Sequence, residues 1–387
     1  MQRTIIHINI TNFAAAVEQV VDSSLRERPV IIAPQAARAV VYDMSEEAYR
    51  QGIRKGMSLV RARWRCRDAV QLIPRPGLYT RAMAALQKEM RPYSPLIEQA
   101  EGDGHFFVDV SGSTRLLGPS ADVARRIRKQ VTGGLGLRPI WTVAPNKLVA
   151  KVASRVVKPE GEHIVKDGDE AVFLSPLPVS ILPGLLLREK ERLKEFQLHQ
   201  AGQVAALTLA QLRSVFGSRA PFIQAAVRGE DRQPVAAGEE RSNLKQVFFF
   251  AGDSNNKQQV EAALVSLVED LVSRLRRRRQ RARRTGLCLE YSDGRRCWRQ
   301  ATCKEPVDDE DDLLALARLA LARTWTRRVR LRSLTLVFDL LTGSARQFSL
   351  FPQPGREKRR QLQDALDQIR ERHGVSGIRR GTSLPVL

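Results

Sequence analysis

The sequence predicts an α+β protein built of several domains. Three observations carry that prediction. Strand and helix patterns alternate over the first 166 residues, strand-like runs vanish from about residue 170 to 232, and a βαββαβ order follows between residues 244 and 342. With 387 residues and roughly 150 per domain, the length allows two to four domains.

The elements follow in order. Thr4–Ile10 reads as a strand, because Ile5, Ile6, Ile8 and Ile10 form a β-branched run. Phe13, Ala16, Val17, Val20 and Val21 then recur at helical spacing. Strands are expected at Val30–Ala33 and Ala39–Tyr42, and a helix at Ser45–Gln51 that Gly52 ends. A helix begins near Ser58, Val70–Ile73 is a strand stopped by Pro74, and Tyr79–Arg91 is a helix closed by Pro92 and Pro95. Ile97–Ala100 and His105–Val110 flank Gly102-Asp103-Gly104 as a hairpin, and two helices with a strand between them reach Lys158.

From about residue 170 short helices predominate. "SPLPVSILPGL" followed by "HQAGQVAALTLAQL" has the rhythm of a helix-hairpin-helix pair, a unit that grips DNA backbone through amides at a helix N-terminus; an ordinary small helical domain fits it equally. "EDRQPVAAGEERSN" reads as a linker. Gln246–Phe250, Gly286–Tyr291, Arg296–Ala301 and Leu331–Phe338 are strands, and Gln258–Arg278 and Asp311–Trp325 are helices. The last forty residues read as a tail with one helix, Gln361–Arg372, whose apolar stripe is Leu362, Ala365, Leu366 and Ile369.

The chain carries 64 Lys+Arg against 42 Asp+Glu, a formal net charge of +22. That balance excludes a calmodulin-like acidic binder and points to a polyanionic partner, nucleic acid before membrane surface. Hydrophobic content of 43% is that of a globular chain. Cys66, Cys288, Cys297 and Cys303 form no metal-ligand spacing, so reduced thiols are expected and no zinc site or disulfide framework. No apolar run is long enough to span a membrane, and the N-terminus lacks a signal peptide's apolar core; a soluble, cytoplasmic protein is expected.

The densest charge is Arg274, Arg276, Arg277, Arg278, Arg279, Arg281, Arg283 and Arg284, eight arginines in eleven residues. Such a run calls for an anion to neutralise it, and DNA phosphates are the expected partner. Arg328 and Arg330, with Arg327 and Arg332, form a second patch. Asp308–Asp312 reads as a helix N-terminal acidic cluster.

Five segments then line up in a recognisable order: "IIHINITNFAAAVEQ", "GIRKGMSL", "YSPLIEQAEGDGHFFVDVSG", "VAPNKLVAKVASRVVKPEG" and "VRGEDRQPV". Over about 350 residues they resemble the Y-family (translesion) DNA polymerases. The resemblance implies a right hand of palm, fingers and helical thumb plus a βαββαβ little finger. Its domains would be the palm at 1–10 and 76–166, fingers at 11–75, thumb at 167–232, a linker at 233–243, little finger at 244–342 and a tail at 343–387.

The resemblance also implies where the reaction's ligands should be, and there the chain departs from the pattern. Two family aspartates of the opening strand fall on Asn9 and Thr11. The hairpin aspartate is kept as Asp103, but its glutamate neighbour falls on Gly104, in a hairpin that counts one residue long. Two-metal chemistry needs carboxylates, and a neutral amide weakens metal affinity. The aromatic sugar gate falls on Ala14. The tyrosine and arginine that clasp the triphosphate fall on Glu46 and Tyr49, while Lys158 matches the family's triphosphate lysine.

The resemblance therefore implies a non-catalytic DNA-binding scaffold of lesion bypass, similar in logic to inactive mutasome subunits of the ImuB type. Such a scaffold needs no cofactor. Mg²⁺ enters only if the chain is active, with Asp103 and Glu101 as ligands of a rebuilt site. A nucleic-acid-binding regulator outside replication is the other alternative. In the tail, Gln347-Phe348-Ser349-Leu350-Phe351 resembles the bacterial sliding-clamp peptide: Leu350 and Phe351 would fill an apolar cleft and Gln347 its rim, with Pro352 keeping the segment extended. The expected partners are damaged or primer–template DNA, the clamp, an error-prone polymerase and a recombinase-related accessory protein, at the bacterial nucleoid and during the DNA-damage (SOS) response.

Overall fold

The structure, a computed structural model, describes residues 3–36, 38–100, 104–236, 243–343, 354–373 and 378. It divides into two compact units, Met1–Pro34 with Val40–Glu239, and Gln35–Ala39 with Glu240–Leu387.

In the first unit, strands β1 (Ile5–Asn9), β5 (Ile97–Gln99), β6 (His105–Asp109), β7 (Ile140–Ala144) and β8 (Glu162–Ile164) form one sheet in the order β5-β6-β1-β7-β8. β1 is central and buried along its whole length. Ile6 and Ile8 face a core built with Phe13 and Val17 of helix α1 (Phe13–Val21), Met83 and Leu86 of α4 (Pro76–Met90) and Ile127 and Val131 of α6 (Ser120–Leu135). Ile5 faces a second core under α7 (Lys147–Val156). Burial on both faces accounts for the isoleucines at Ile5, Ile6 and Ile8, and it also buries His7 and Asn9.

A smaller sheet, β3-β2-β4, joins β2 (Val30–Ile32), β3 (Asp43–Met44) and β4 (Val70–Leu72), with the short helices α2 (Glu46–Arg50) and α3 (Leu59–Arg65) alongside. The strand expected at Ala39–Tyr42 is not there. Val40 makes only an isolated bridge to Ser58, and the pairing falls on Asp43–Met44 instead. A short helix, α5 (Thr114–Leu117), precedes α6. Then α8 (Glu170–Leu174), α9 (Leu187–Glu195), α10 (Ala201–Ala205), α11 (Leu209–Phe216) and α12 (Ala220–Arg228) form the helical segment. The Glu189 carboxylate holds Arg219 within it at 2.7 Å.

The "APNK" motif works as a structural knot. Asn146 caps α7 by accepting from the Val149 N–H at 2.9 Å, and its own amide donates to the Gly229 carbonyl at 2.7 Å. Lys147 Nζ pairs with Glu98 at 2.9 Å, and Glu98 also accepts from the Ala236 N–H at 2.8 Å. Arg3 donates to the carbonyls of Asp231 and Gln233. The first part of the expected linker is thus laid down on the sheet, and Val235 is buried there.

The second unit holds β9 (Asn243–Ser254), α13 (Lys257–Arg277), β10 (Gln280–Tyr291), β11 (Arg296–Val307), α14 (Glu310–Thr324) and β12 (Leu331–Gly343), the βαββαβ order read from the sequence. Its antiparallel sheet runs β11-β10-β12-β9, with a core of Leu264, Val268 and Leu271 from α13, Leu313 and Ala317 from α14, and Leu287, Leu289, Leu334, Leu336 and Phe338 from the strands. Helix α15 (Pro354–His373) is longer than the Gln361–Arg372 expected. Of its predicted apolar stripe, Leu362, Ala365 and Ile369 are exposed and Leu366 is half-buried.

Candidate functional site

Period two along β1 places His7 and Asn9 together, opposite Ile6 and Ile8. The strand register sets His105 and Ile140 beside Asn9, and Phe107 and Thr142 beside His7. Asn9 is only 1% exposed, yet neither its Oδ1 nor its Nδ2 finds a hydrogen-bond partner. His7 is buried too, with its Nδ1 unpartnered. His105 Nδ1 lies 3.4 Å from His7 Nε2, and the two rings stack with centroids 5.4 Å apart.

The electrostatics follow from burial and from nearby cations. Burial first, then Lys158, Lys151, Lys55 and Arg155, holds the His105 imidazole down to about 3. Burial first, then His105 and the cations Lys151, Lys158 and Arg155, pushes His7 well below its ordinary value. Both rings are therefore neutral at physiological pH. Lys158 is lowered by desolvation, Lys55 and Arg155, against the upward pull of Asp43 and Glu46.

Both of those carboxylates already have partners. Asp43 accepts from the backbone N–H groups of Ala14 at 2.8 Å and Met44 at 3.0 Å, and pairs with Lys55 at 3.0 Å. Glu46 pairs with Arg50 at 3.4 Å and accepts from Asn12 Nδ2 at 3.5 Å. The Tyr49 ring lies under the Arg54 guanidinium, 3.8 Å from ring centroid to charge. Thr11 Oγ1 donates to the Pro159 carbonyl at 3.2 Å.

Gly104 cannot stand in for an acidic residue. Its φ is +83°, and a Cβ there would lie 2.9 Å from Phe13 Cβ and 3.0 Å from the Ile10 carbonyl oxygen. The sequence reading placed the lost glutamate at Gly104; in the structure the residue facing Asn9 across the strands is His105. A divalent Mg²⁺ wants charged oxygen ligands. The described residues at this site supply an amide, two neutral imidazoles and a hydroxyl among lysines, and these do not fit it. Among the described residues no group of three or more His, Cys, Asp and Glu side chains forms a ligand set. Glu101 and Asp103 lie outside the described residues, as do Gln347, Phe348, Leu350 and Phe351.

The arginine run does not form one uniform face. Arg276 makes a two-pronged pair with Asp367 of α15 at 2.6 and 2.8 Å, and Gln363 of the same helix donates to Asp309 at 2.7 Å. Arg284 pairs in the same forked way with Asp339 across the sheet at 2.5 and 2.8 Å. Arg281 reaches Asp308 at 3.8 Å. Burial pushes the Arg274 guanidinium down, against the pull of Asp270, and Arg278 keeps one buried, unpartnered nitrogen. Arg277, Arg279 and Arg283 are exposed, as are Arg328 and Arg330, whereas Arg327 pairs with Asp293 at 2.6 Å. The expectation of eight phosphate-facing arginines is corrected accordingly: Arg276 and Arg284 hold protein carboxylates. Asp308–Asp312 does cap α14, through Asp309, and also serves Arg281 and Gln363.

The impB/mucB/samB family profile matches residues 8–155, and the profile of that family's C-terminal domain matches residues 249–350. The chain belongs to the Y-family of DNA polymerases. A protein named DNA polymerase IV from Alkalilimnicola ehrlichii is 33% identical over 90% of this chain and 99% of its own length. Another of the same name, from Dehalococcoides mccartyi, is 29% identical over 98% of this chain and 97% of its own. Among solved structures, a Y-family polymerase chimera of Dbh and Dpo4 superposes with a TM-score of 0.75, at 17% identity, over 88% of this chain and 99% of that one. The insertion ternary complex of Dbh polymerase gives 0.65 at 17%, over 87% and 98%. The α+β architecture read from the sequence is thus the Y-family fold. No helix among the described residues is long and apolar enough to cross a membrane.

Proposed function

We propose that this Y-family member is a non-catalytic DNA-binding scaffold of translesion synthesis, recruited to the sliding clamp through Gln347, Phe348, Leu350 and Phe351. The observation that carries the reading is the floor around Asn9. Where the family's reaction calls for carboxylates around two metal ions, Asn9, Thr11, Gly104 and His105 stand, the imidazoles neutral and the surroundings cationic. The exposed Arg277, Arg279, Arg283, Arg328 and Arg330 support retained DNA binding. The expected DNA is primer–template or damaged duplex, and the setting is the DNA-damage response.

The test is primer extension on a primer–template in Mg²⁺ and in Mn²⁺, beside DNA binding at two salt concentrations. Salt-sensitive binding without extension is expected. Extension that disappears in Asp103→Ala would overturn the reading and place a rebuilt metal site in the Glu101–Asp103 hairpin. That second reading draws on relatives named as polymerases that match along nearly their whole length. Separately, Leu350→Ala with Phe351→Ala should abolish clamp capture; retained capture would remove the peptide assignment.

A further inference from the structure

Helix α3 has one buried and one open side. Leu59, Ala62 and Cys66 face the interior, and Ser58 caps the helix by accepting from the Arg61 N–H at 3.4 Å. On the open side, Val60 and Trp64 sit one turn apart and are 67% and 80% exposed. Tryptophan is among the most buried residue types on average, so an indole this open is unusual. The surrounding charge has one sign: between Gly56 and Pro74 four arginines accompany a single carboxylate, Asp68.

Two of those cations are held by the protein. Arg63 donates to Gln71 Oε1, and Arg65 donates to the Gly52 carbonyl at 3.0 Å. Arg61 and Arg67 stand three residues to either side of Trp64. Both are exposed, and their side chains make no ion pair or hydrogen bond among the described residues. The patch is thus an open aromatic face with an unneutralised guanidinium on each flank.

That combination matches one ligand chemistry. An unpaired base offers a π-face to an indole, and the phosphates on either side of it suit two guanidinium groups. A duplex keeps its base faces stacked inside and offers only the phosphates. We infer that Trp64, Arg61 and Arg67 form a docking platform for single-stranded DNA, with one unpaired base stacked on the indole. The inference rests on the reading of this chain as a DNA-binding scaffold and adds a contact selective for the unpaired strand.

The test measures binding of the full chain to a labelled oligo-dT strand and to a duplex of equal length, at two salt concentrations. Trp64→Ala should weaken single-strand binding about tenfold and leave duplex affinity unchanged. Trp64→Phe should recover most of the loss. Arg61→Gln and Arg67→Gln should each lower the single-strand salt slope by about 0.7. These side chains are exposed, so thermal unfolding should not move. Unchanged single-strand affinity in Trp64→Ala would overturn the inference and leave the patch to a protein partner. An equal loss on duplex would overturn it as well. Failure of the scaffold reading shows differently, as primer extension or as absent duplex binding by the unsubstituted chain.

Discussion

The floor around Asn9 and the arginine-rich corner of the βαββαβ unit are both crowded with cations, yet they use them in opposite ways. At the floor, burial first and then Lys151, Arg155 and Lys158 keep two histidines neutral, while Lys55 is held by Asp43. In the βαββαβ unit, Arg276 and Arg284 each grip a carboxylate of the protein, leaving Arg277, Arg279 and Arg283 exposed. Net charge alone therefore does not assign a cation its work. What assigns it is whether a carboxylate lies within reach.

The sharpest way to break that comparison is to remove a carboxylate that does have partners. Glu18 is 1% exposed; it pairs with Arg75 and accepts from the Tyr79 hydroxyl at 2.8 Å. Glu18→Ala strands that hydroxyl and is expected to destabilise the first unit by about 3 kcal/mol, read as a shifted urea midpoint. Asp339→Ala leaves Arg284 without its partner near the surface. The second unit should lose a smaller amount, about 1–2 kcal/mol, with DNA affinity little changed. A large loss of DNA affinity from Asp339→Ala would show that the pair serves binding and not the fold.

The floor makes a prediction about pH. His105 is held down to about 3, and His7 also lies below the usual histidine value near 6.5. Below 6.5 the unfolded chain binds these protons and the folded chain does not, so unfolding is favoured. Stability of the first unit is full above about 6.5 and should decline steadily as pH falls towards 3. Urea melts across that range check it, and His105→Gln should flatten the decline. The smallest effects belong to the open arginines. Single changes of Arg277, Arg279 or Arg283 to Gln should each remove nearly one unit (~0.9) from the salt slope of duplex binding without moving the melting temperature. The same change at Arg276 should move the melting temperature first.

Much of this architecture is legible along the chain because it is written in local periods. The alternation in Ile5–Asn9 announces both the strand and the face that Asn9 shares with His7. The βαββαβ unit is legible for the same reason. His105 is not, because nothing local fixes which hairpin residue faces Asn9, and only the strand pairing of Asn9 with His105 resolves it. Nor does any local pattern join Arg276 to Asp367, ninety-one residues apart. The docked start of the linker likewise depends on Arg3 and Glu98, far upstream in sequence. Long-range pairing is where composition stops being informative.

The position of β1 has a consequence for how the chain is made. It precedes both of its partners, His105–Asp109 and Ile140–Ala144, along the chain. At about 5–20 residues per second, the ribosome needs roughly seven to twenty-six seconds to deliver the second partner after Asn9. Through that interval the isoleucine-rich strand has at least one edge without its partner. It is the segment where a chaperone would act first, and slower translation across residues 10–140 would prolong the exposure.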